Sequence, residues 1–295
     1  MVVAPFKYKM GVEFDGRFVA AVLLEPAQRE CRLLEAREID LGAFEDQSAV
    51  SFAKALVSAI GELIPGNGTP TSLSLVVPIE RVIQFNIQLP LSPDLPKDDW
   101  EKWEISTHLP GVPDDYLWES SYLRDSLCGS HQIRRVWATR KAFIDSIISI
   151  ASAKGITIEE VHFPQSVWGK LLGRYCAKAG VEELDCVYIG GDTSYVVRSR
   201  QNRITEVMST ASPGEIDRRR FIENMETLIS WHGGVKSGAD GRYVVDAHGS
   251  PETLEALSSR FKFNRLDSGK FSKQLRGTVD KPERYILSLG ALGVI

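Results

Sequence analysis

Two stretches half a chain apart repeat one plan, and that repetition restricts the fold more than any other feature. Residues 184–199, LDCVYIGGDTSYVVRS, read as an apolar strand, a Gly-Gly-Asp-Thr-Ser turn and a second strand running into Arg198 and Arg200. Residues 9–25, KMGVEFDGRFVAAVLLE, read the same way around Asp15 and Gly16. A third strand-like run follows each, at 31–40 and at 203–210. Two β-β-β openings of this kind predict a duplicated, two-lobed α/β architecture. A glycine-rich turn between strands is either an ordinary tight hairpin or a cradle whose backbone N–H groups face a phosphate. Both readings stand for Gly190, Gly191, Asp192 and Thr193.

Between the hairpins the pattern alternates in type. Residues 48–63 place Val50, Ala53, Leu56, Val57, Ile60 and Leu63 at helical spacing. Residues 71–78 then read as a strand buried on both faces, and such a strand after a crossover helix implies parallel pairing. From residue 80 the character changes. Residues 81–89 alternate apolar and polar, 98–108 form a helix carrying Trp100, Trp103 and Ile105, and 116–124 and 131–140 read as two antiparallel strands. This β-α-β-β unit, 80–140, is an inserted module. The first lobe is thus expected at 1–79 and 141–183, with helices at 142–153 and 164–179 around a strand at 156–163, and the second at 184–295. In the second lobe, helices are expected at 215–231, 252–261 and 282–292, with a strand at 242–246.

A chain of 295 residues, 43% of them hydrophobic, buries a full core. No apolar run reaches the roughly 18 residues of a membrane span and the start lacks a signal-peptide core, so a cytoplasmic protein is expected. With 39 acidic against 35 basic residues the net charge is -4, which argues against a nucleic-acid partner. Cys31, Cys128, Cys176 and Cys186 are scattered and read as reduced thiols, and no His or Cys stands at metal-ligand spacing. HExxH, G-x-S-x-G and Walker patterns do not occur, which removes zinc-hydrolase, α/β-hydrolase and P-loop readings.

With these pieces placed, the chain resembles the actin-like ATPase superfamily, of ribonuclease H-like fold, and within it the PilM family of type IV pilus assembly proteins. GspL cytoplasmic domains and FtsA are more distant. Residues 10–25 look like the first phosphate hairpin, 188–197 like the second, and VVDAHGSPETLEALSSRF, 244–261, stands where the family has its glycine-rich adenosine motif. The insertion, with its WEKWEISTHLP helix at 100–110, is the most specific match. The resemblance implies an ATP and Mg²⁺ site at Glu13, Asp15, Gly16, Gly190, Gly191, Asp192, Thr193 and Gly249.

Departures from the family pattern fall on the same residues. Asp15 stands at a glycine position, where a carboxylate repels phosphate. Tyr188 stands at an acidic position and offers no hard anionic oxygen to Mg²⁺. The glycine run is reduced to Ala247-His248-Gly249, and the subdomain that usually covers the nucleotide is missing between 208 and 215. Phosphoryl transfer depends on positioning and on a metal ion, so these losses argue for a non-catalytic protein without bound cofactor. An ATP-binding switch or weak ATPase is the alternative, and a sugar- or acetate-kinase-type enzyme is disfavoured.

The resemblance also implies a groove between the module and the first lobe that receives the cytoplasmic tail of a membrane-anchored, PilN-like partner, bordered here by Val82, Phe85, Ile87, Trp100 and Trp103. On that reading the chain is a scaffold of a type IV pilus or type II secretion-like machine, peripheral to the inner membrane through its partner, and able to form homo-oligomers as relatives do.

Overall fold

The computed structural model describes residues 6–15, 18–27, 31–41, 48–66, 69–91, 97–200, 203–213, 216–230, 242–246, 251–265, 275–276 and 281–294. The chain opens with an antiparallel meander, β1 (Tyr8–Asp15), β2 (Phe18–Pro26) and β3 (Cys31–Asp40). Helix α1 (Ala49–Gly61) starts where Ser48 Oγ accepts the Ser51 N–H at 3.2 Å, which satisfies one of the orphan donors of a helix start. Strand β4 (Thr71–Val76) follows it parallel to β1, as the crossover predicts.

The inserted module is β5 (Ile83–Pro90), α2 (Lys97–His108), β6 (Tyr116–Asp125) and β7 (His131–Arg140). Its antiparallel sheet has the order β5-β7-β6. Helix α2 covers one face, where Ile105 and Leu109 meet Ile87, Leu89, Val136 and Ala138. The first lobe then resumes with α3 (Lys141–Ala153), β8 (Ile156–His162), parallel to β4, and α4 (Pro164–Ala179). Gly180 closes α4 at φ +66°, the left-handed cap that glycine adopts without strain.

The second lobe is β9 (Glu183–Ile189), β10 (Thr193–Arg200), β11 (Arg203–Ala211), α5 (Arg218–Ser230), β12 (Arg242–Asp246), α6 (Pro251–Phe261) and β13 (Asn264–Arg265). Its sheet has the order β11-β10-β9-β12-β13. The chain then returns to the first lobe. β14 (Leu275–Arg276) pairs with β3 and completes a sheet of order β14-β3-β2-β1-β4-β8, and α7 (Ile286–Ala291) lies against β1.

Strand alternation assigns the faces. From β1, Tyr8, Met10, Val12 and Phe14 enter the core under α1 and α3. Gly11 and Glu13, one residue out of phase, face α7. A Cβ on Gly11 would lie 2.3 Å from the Ser288 carbonyl oxygen, and one on Gly290 would lie 2.6 Å from Val167 of α4. Both glycines are therefore required by closeness, and α4 and α7 form the layer between the lobes. A third core, under α5 and α6, takes Val187, Ile189 and Val196 from the opposite face of the second sheet.

Three details differ from the sequence reading. The helix expected over 215–231 is α5, starting at Arg218 because the Asp217 carboxylate accepts the Arg220 N–H at 3.1 Å. The helix expected over 282–292 divides into a 3-10 turn, Pro282–Tyr285, and α7. β13 and β14 have two residues each, too few to show an alternating pattern.

Candidate functional site

The two glycine-turn hairpins meet across the layer formed by α4 and α7. In the first, Asp15 pairs with Phe18 at the mouth of the turn. Gly16 lies outside the described residues, as do His248 and Gly249 of the expected adenosine motif. Glu13 is buried, at 3% exposure, and its Oε2 accepts the Ser288 N–H of α7 at 2.6 Å. The Ser288 hydroxyl donates to the Ala20 carbonyl at 2.8 Å. The carboxylate expected at the nucleotide site is thus directed at α7.

In the second hairpin Gly190 is buried, and Gly191, Asp192 and Thr193 are half-buried. The Asp192 carbonyl accepts the Ser212 N–H at 2.9 Å, and the Ser212 hydroxyl meets Ser194 at 2.7 Å, tying the turn to β11. Thr193 Oγ1 donates to Glu80 Oε1 at 2.7 Å. Glu80 belongs to the 3-10 turn Ile79–Arg81 that leads into the module, so this bond fastens the second hairpin to the first lobe's side of the seam.

Aromatic rings occupy the space between the hairpins. Tyr188 and Tyr195 stack with centroids 4.8 Å apart, and Trp168 of α4 meets both edge-on at 5.9 and 6.2 Å. Trp168 Nε1 donates to the Tyr195 hydroxyl at 2.9 Å, and all three are at most 3% exposed. The cavity left among Glu13, Ile79, Tyr188, Thr193, Tyr195 and Leu287 is about 10 Å³. That is the room of about one water, whereas small-molecule sites occupy roughly 300–1,000 Å³. Among the described residues this part of the seam is thus closely packed, and Tyr188, which stands where an acid is expected, is a buried ring.

The module presents the other candidate surface. Ile87 is fully buried beneath α2, so its side chain is removed from any docking face, a correction to its place among the partner contacts. The alternation of β5 indicates one solvated face but does not reveal that α2 covers the other, with Ile87 beneath it. Phe85 is half-buried and stacks on His108 at 4.9 Å, and Val82 packs on the first lobe's core. Trp100 and Trp103 touch at 5.1 Å; Trp103 is 55% exposed, while the buried Nε1 of Trp100 has no hydrogen-bond partner. Glu101 between them is a structural residue, bonded to Ser120 and lying 3.4 Å from Arg134. β5 is the edge of its sheet, so one side of its backbone has no neighbouring strand among the described residues. Glu80, Trp168, Tyr195 and Ser288 carry the seam and were not singled out in sequence, because each acts through a partner at least 27 residues away.

Among the described residues no group of three or more His, Cys, Asp or Glu side chains is placed to hold a metal ion. No helix there is long and apolar enough to cross a membrane. No protein-family model matches the chain, and no curated protein does either. Among solved structures, it is similar to a PilM-PilN type IV pilus biogenesis complex, with a TM-score of 0.67 and 14% identity over 97% of this chain and 98% of that one. It is similar to a Bacteroides thetaiotaomicron protein with an actin-like ATPase fold and unknown function, with a TM-score of 0.54 and 7% identity over 96% and 95%. A third similarity is to the cytoplasmic domain of EpsL, an inner membrane component of the type II secretion system of Vibrio cholerae, with a TM-score of 0.51 and 11% identity over 97% and 95%. The two hairpins, the layer between the lobes and the module accordingly make up an actin-like ATPase fold with a small β-α-β-β insertion.

Proposed function

We propose that this chain is a non-catalytic, actin-like scaffold on the cytoplasmic side of a type IV pilus or type II secretion-like machine, docking the cytoplasmic tail of a membrane-anchored partner. The observation that carries this reading is the filled seam. Trp168, Tyr188 and Tyr195 occupy the place between the hairpins, Glu13 is engaged by α7, and Thr193 by Glu80. A protein of this fold whose hairpin residues are engaged by one another in this way keeps shape as its useful property.

The module supports the docking half of the proposal. An extended peptide laid along β5 gains main-chain hydrogen bonds from the sheet edge and side-chain contact from Phe85, Trp100 and Trp103. The likeness in fold to a PilM-PilN complex supports a partner of that kind. Exposed tryptophan beside half-buried aromatics is the composition of an anchoring patch.

Two titrations test the proposal. A fluorescent ATP analogue with Mg²⁺ should neither bind nor raise the melting temperature; micromolar binding with a matching rise would show a nucleotide switch instead. The tail of the pilus membrane partner, added to the full chain, should change tryptophan fluorescence, and Trp103→Ala should weaken it about tenfold or more without changing stability, as expected for an anchor. No response at high peptide concentration would remove the docking claim.

A further inference from the structure

A second cavity, about 660 Å³, lies between the module and the second lobe, away from the seam. Its walls carry Arg124, Arg135, Arg198 and Arg200 against Glu183 and Glu206. Strand alternation explains its polarity: the face of β5 and β7 opposite α2 bears Gln84, Asn86, Arg135 and Trp137, while Ile87, Leu89, Val136 and Ala138 point into the module's core.

The arginines are not equally provided for. Arg198, 1% exposed, donates to Asp185 at 2.8 Å, to Glu206 at 2.7 Å and to the Ile229 carbonyl at 3.1 Å. Glu206 is therefore already engaged. Arg200 forms an ion pair with Glu183 at 3.6 Å, longer than a hydrogen bond, and its Nε is buried without a hydrogen-bond partner. Arg135 faces Asn86 in cross-strand register, and its Nε donates to Asn86 Oδ1 at 2.6 Å. That acceptor is neutral, so the terminal nitrogens of Arg135 remain for the cavity that it lines. Burial pushes the Arg135 guanidinium below its ordinary range, and Glu206 only partly offsets this. Arg124, exposed on the same wall, has no ion pair among the described residues.

Arginines that share one cavity wall repel one another, and an anion placed among them relieves that repulsion and adds charge-assisted hydrogen bonds. Their planar forks match the oxygens of a phosphate, and three approaching from different strands suit a tetrahedral group. The volume falls within the range of small-molecule sites, and Tyr122 and Leu123 add an apolar wall for the organic part of a ligand. We propose that this cavity binds a phosphorylated small molecule through Arg124, Arg135 and Arg200. Two of these belong to the module and one to β10, so the ligand bridges the two bodies. The bond from Gln84 to the Val207 carbonyl, at 3.5 Å, already marks the line along which they approach.

The proposal does not depend on the scaffold reading, because the seam and this cavity share no residue. The test is calorimetric titration of the full chain with inorganic pyrophosphate, with thermal melting in parallel. Binding in the range of about 1 mM or tighter, with a rise in melting temperature, is expected. Arg135→Gln and Arg124→Gln should each reduce affinity about tenfold, as loss of charge-assisted bonds does. Arg124 is exposed, so its variant keeps the test valid if the Arg135 variant folds poorly. Tyr195→Phe, in the seam, should leave affinity unchanged. Absence of heat at about 10 mM pyrophosphate, far above any useful affinity, overturns the proposal. So does binding that survives in both arginine variants, which would place the ion elsewhere.

Discussion

Gly11→Ala is the most direct probe of how the two lobes are joined. The added Cβ would stand 2.3 Å from the Ser288 carbonyl oxygen and 2.9 Å from Leu292, whereas ordinary contact begins at 3.4 Å. The obstructing atom is backbone, so no rotamer change relieves it and α7 must withdraw by about 1 Å. A gap of that size forfeits roughly a quarter to a half of the dispersion attraction across it. Ile286, Leu287 and Leu289 are buried, and burial of each stabilises by about 1.5–3 kcal/mol. Withdrawal therefore costs about 1–4 kcal/mol in packing. It also stretches the 2.6 Å bond from Ser288 to the Glu13 carboxylate, and bonds to charged groups contribute about 1.5–3 kcal/mol. A net loss of about 2–5 kcal/mol is expected. Equilibrium urea unfolding, read as a lower midpoint at unchanged slope, measures it. Gly61→Ala is the control: a Cβ there meets nothing within 4 Å, and the residue closes α1, so the same substitution should stabilise by up to about 1 kcal/mol. If Gly11→Ala costs less than about 0.5 kcal/mol, the ordinary range of a harmless surface change, the close approach of α7 is not what holds the lobes.

Other perturbations have distinct expected signs. Tyr195→Phe deletes the acceptor of the buried Trp168 indole N–H, and stability should fall by about 1–3 kcal/mol in the same urea assay. Arg198→Met strips the buried Asp185 of its 2.8 Å guanidinium partner and should cost about 3–5 kcal/mol; Asp185→Leu added to it should recover part of the loss, which a double-mutant cycle would show. Hydrogen bonds from Ser126 and Ser130 hold the exposed Cys128 thiol well below its ordinary range, whereas burial pushes Cys186 up. In the folded protein Cys128 should therefore react with iodoacetamide at neutral pH and retain its rate as pH falls below the usual thiol range, with Cys186 inert. Ser126→Ala with Ser130→Ala should shift that rate profile to higher pH.

Local pattern carried far in this chain. The meander of β1 to β3, the crossover through α1 to a parallel β4 and the module all follow from periodicity within a single segment. The seam does not. Tyr188 is legible in sequence only as a residue where an acid is expected; its role as a packed ring needs Trp168 from α4 and Tyr195 from β10. Glu13 likewise reads as a nucleotide-site candidate until α7, 275 residues away, supplies the N–H that it accepts. Ile87 shows the same limit on a smaller scale, since alternation gives its face but not the helix that covers it. What escaped the sequence is what depends on elements far apart in the chain.

The contact between β1 and α7 also bears on how the protein is made. During synthesis at about 5–20 residues per second, β1 leaves the ribosome roughly 15–55 s before α7 exists. For that interval the strand face bearing Gly11 and Glu13 is bare, and the first lobe waits on α7 to close. Nascent chains arrested before residue 286 should thus be cut by protease within the first lobe, and those released after 292 should resist; equal resistance in both would mean that the lobe closes unaided.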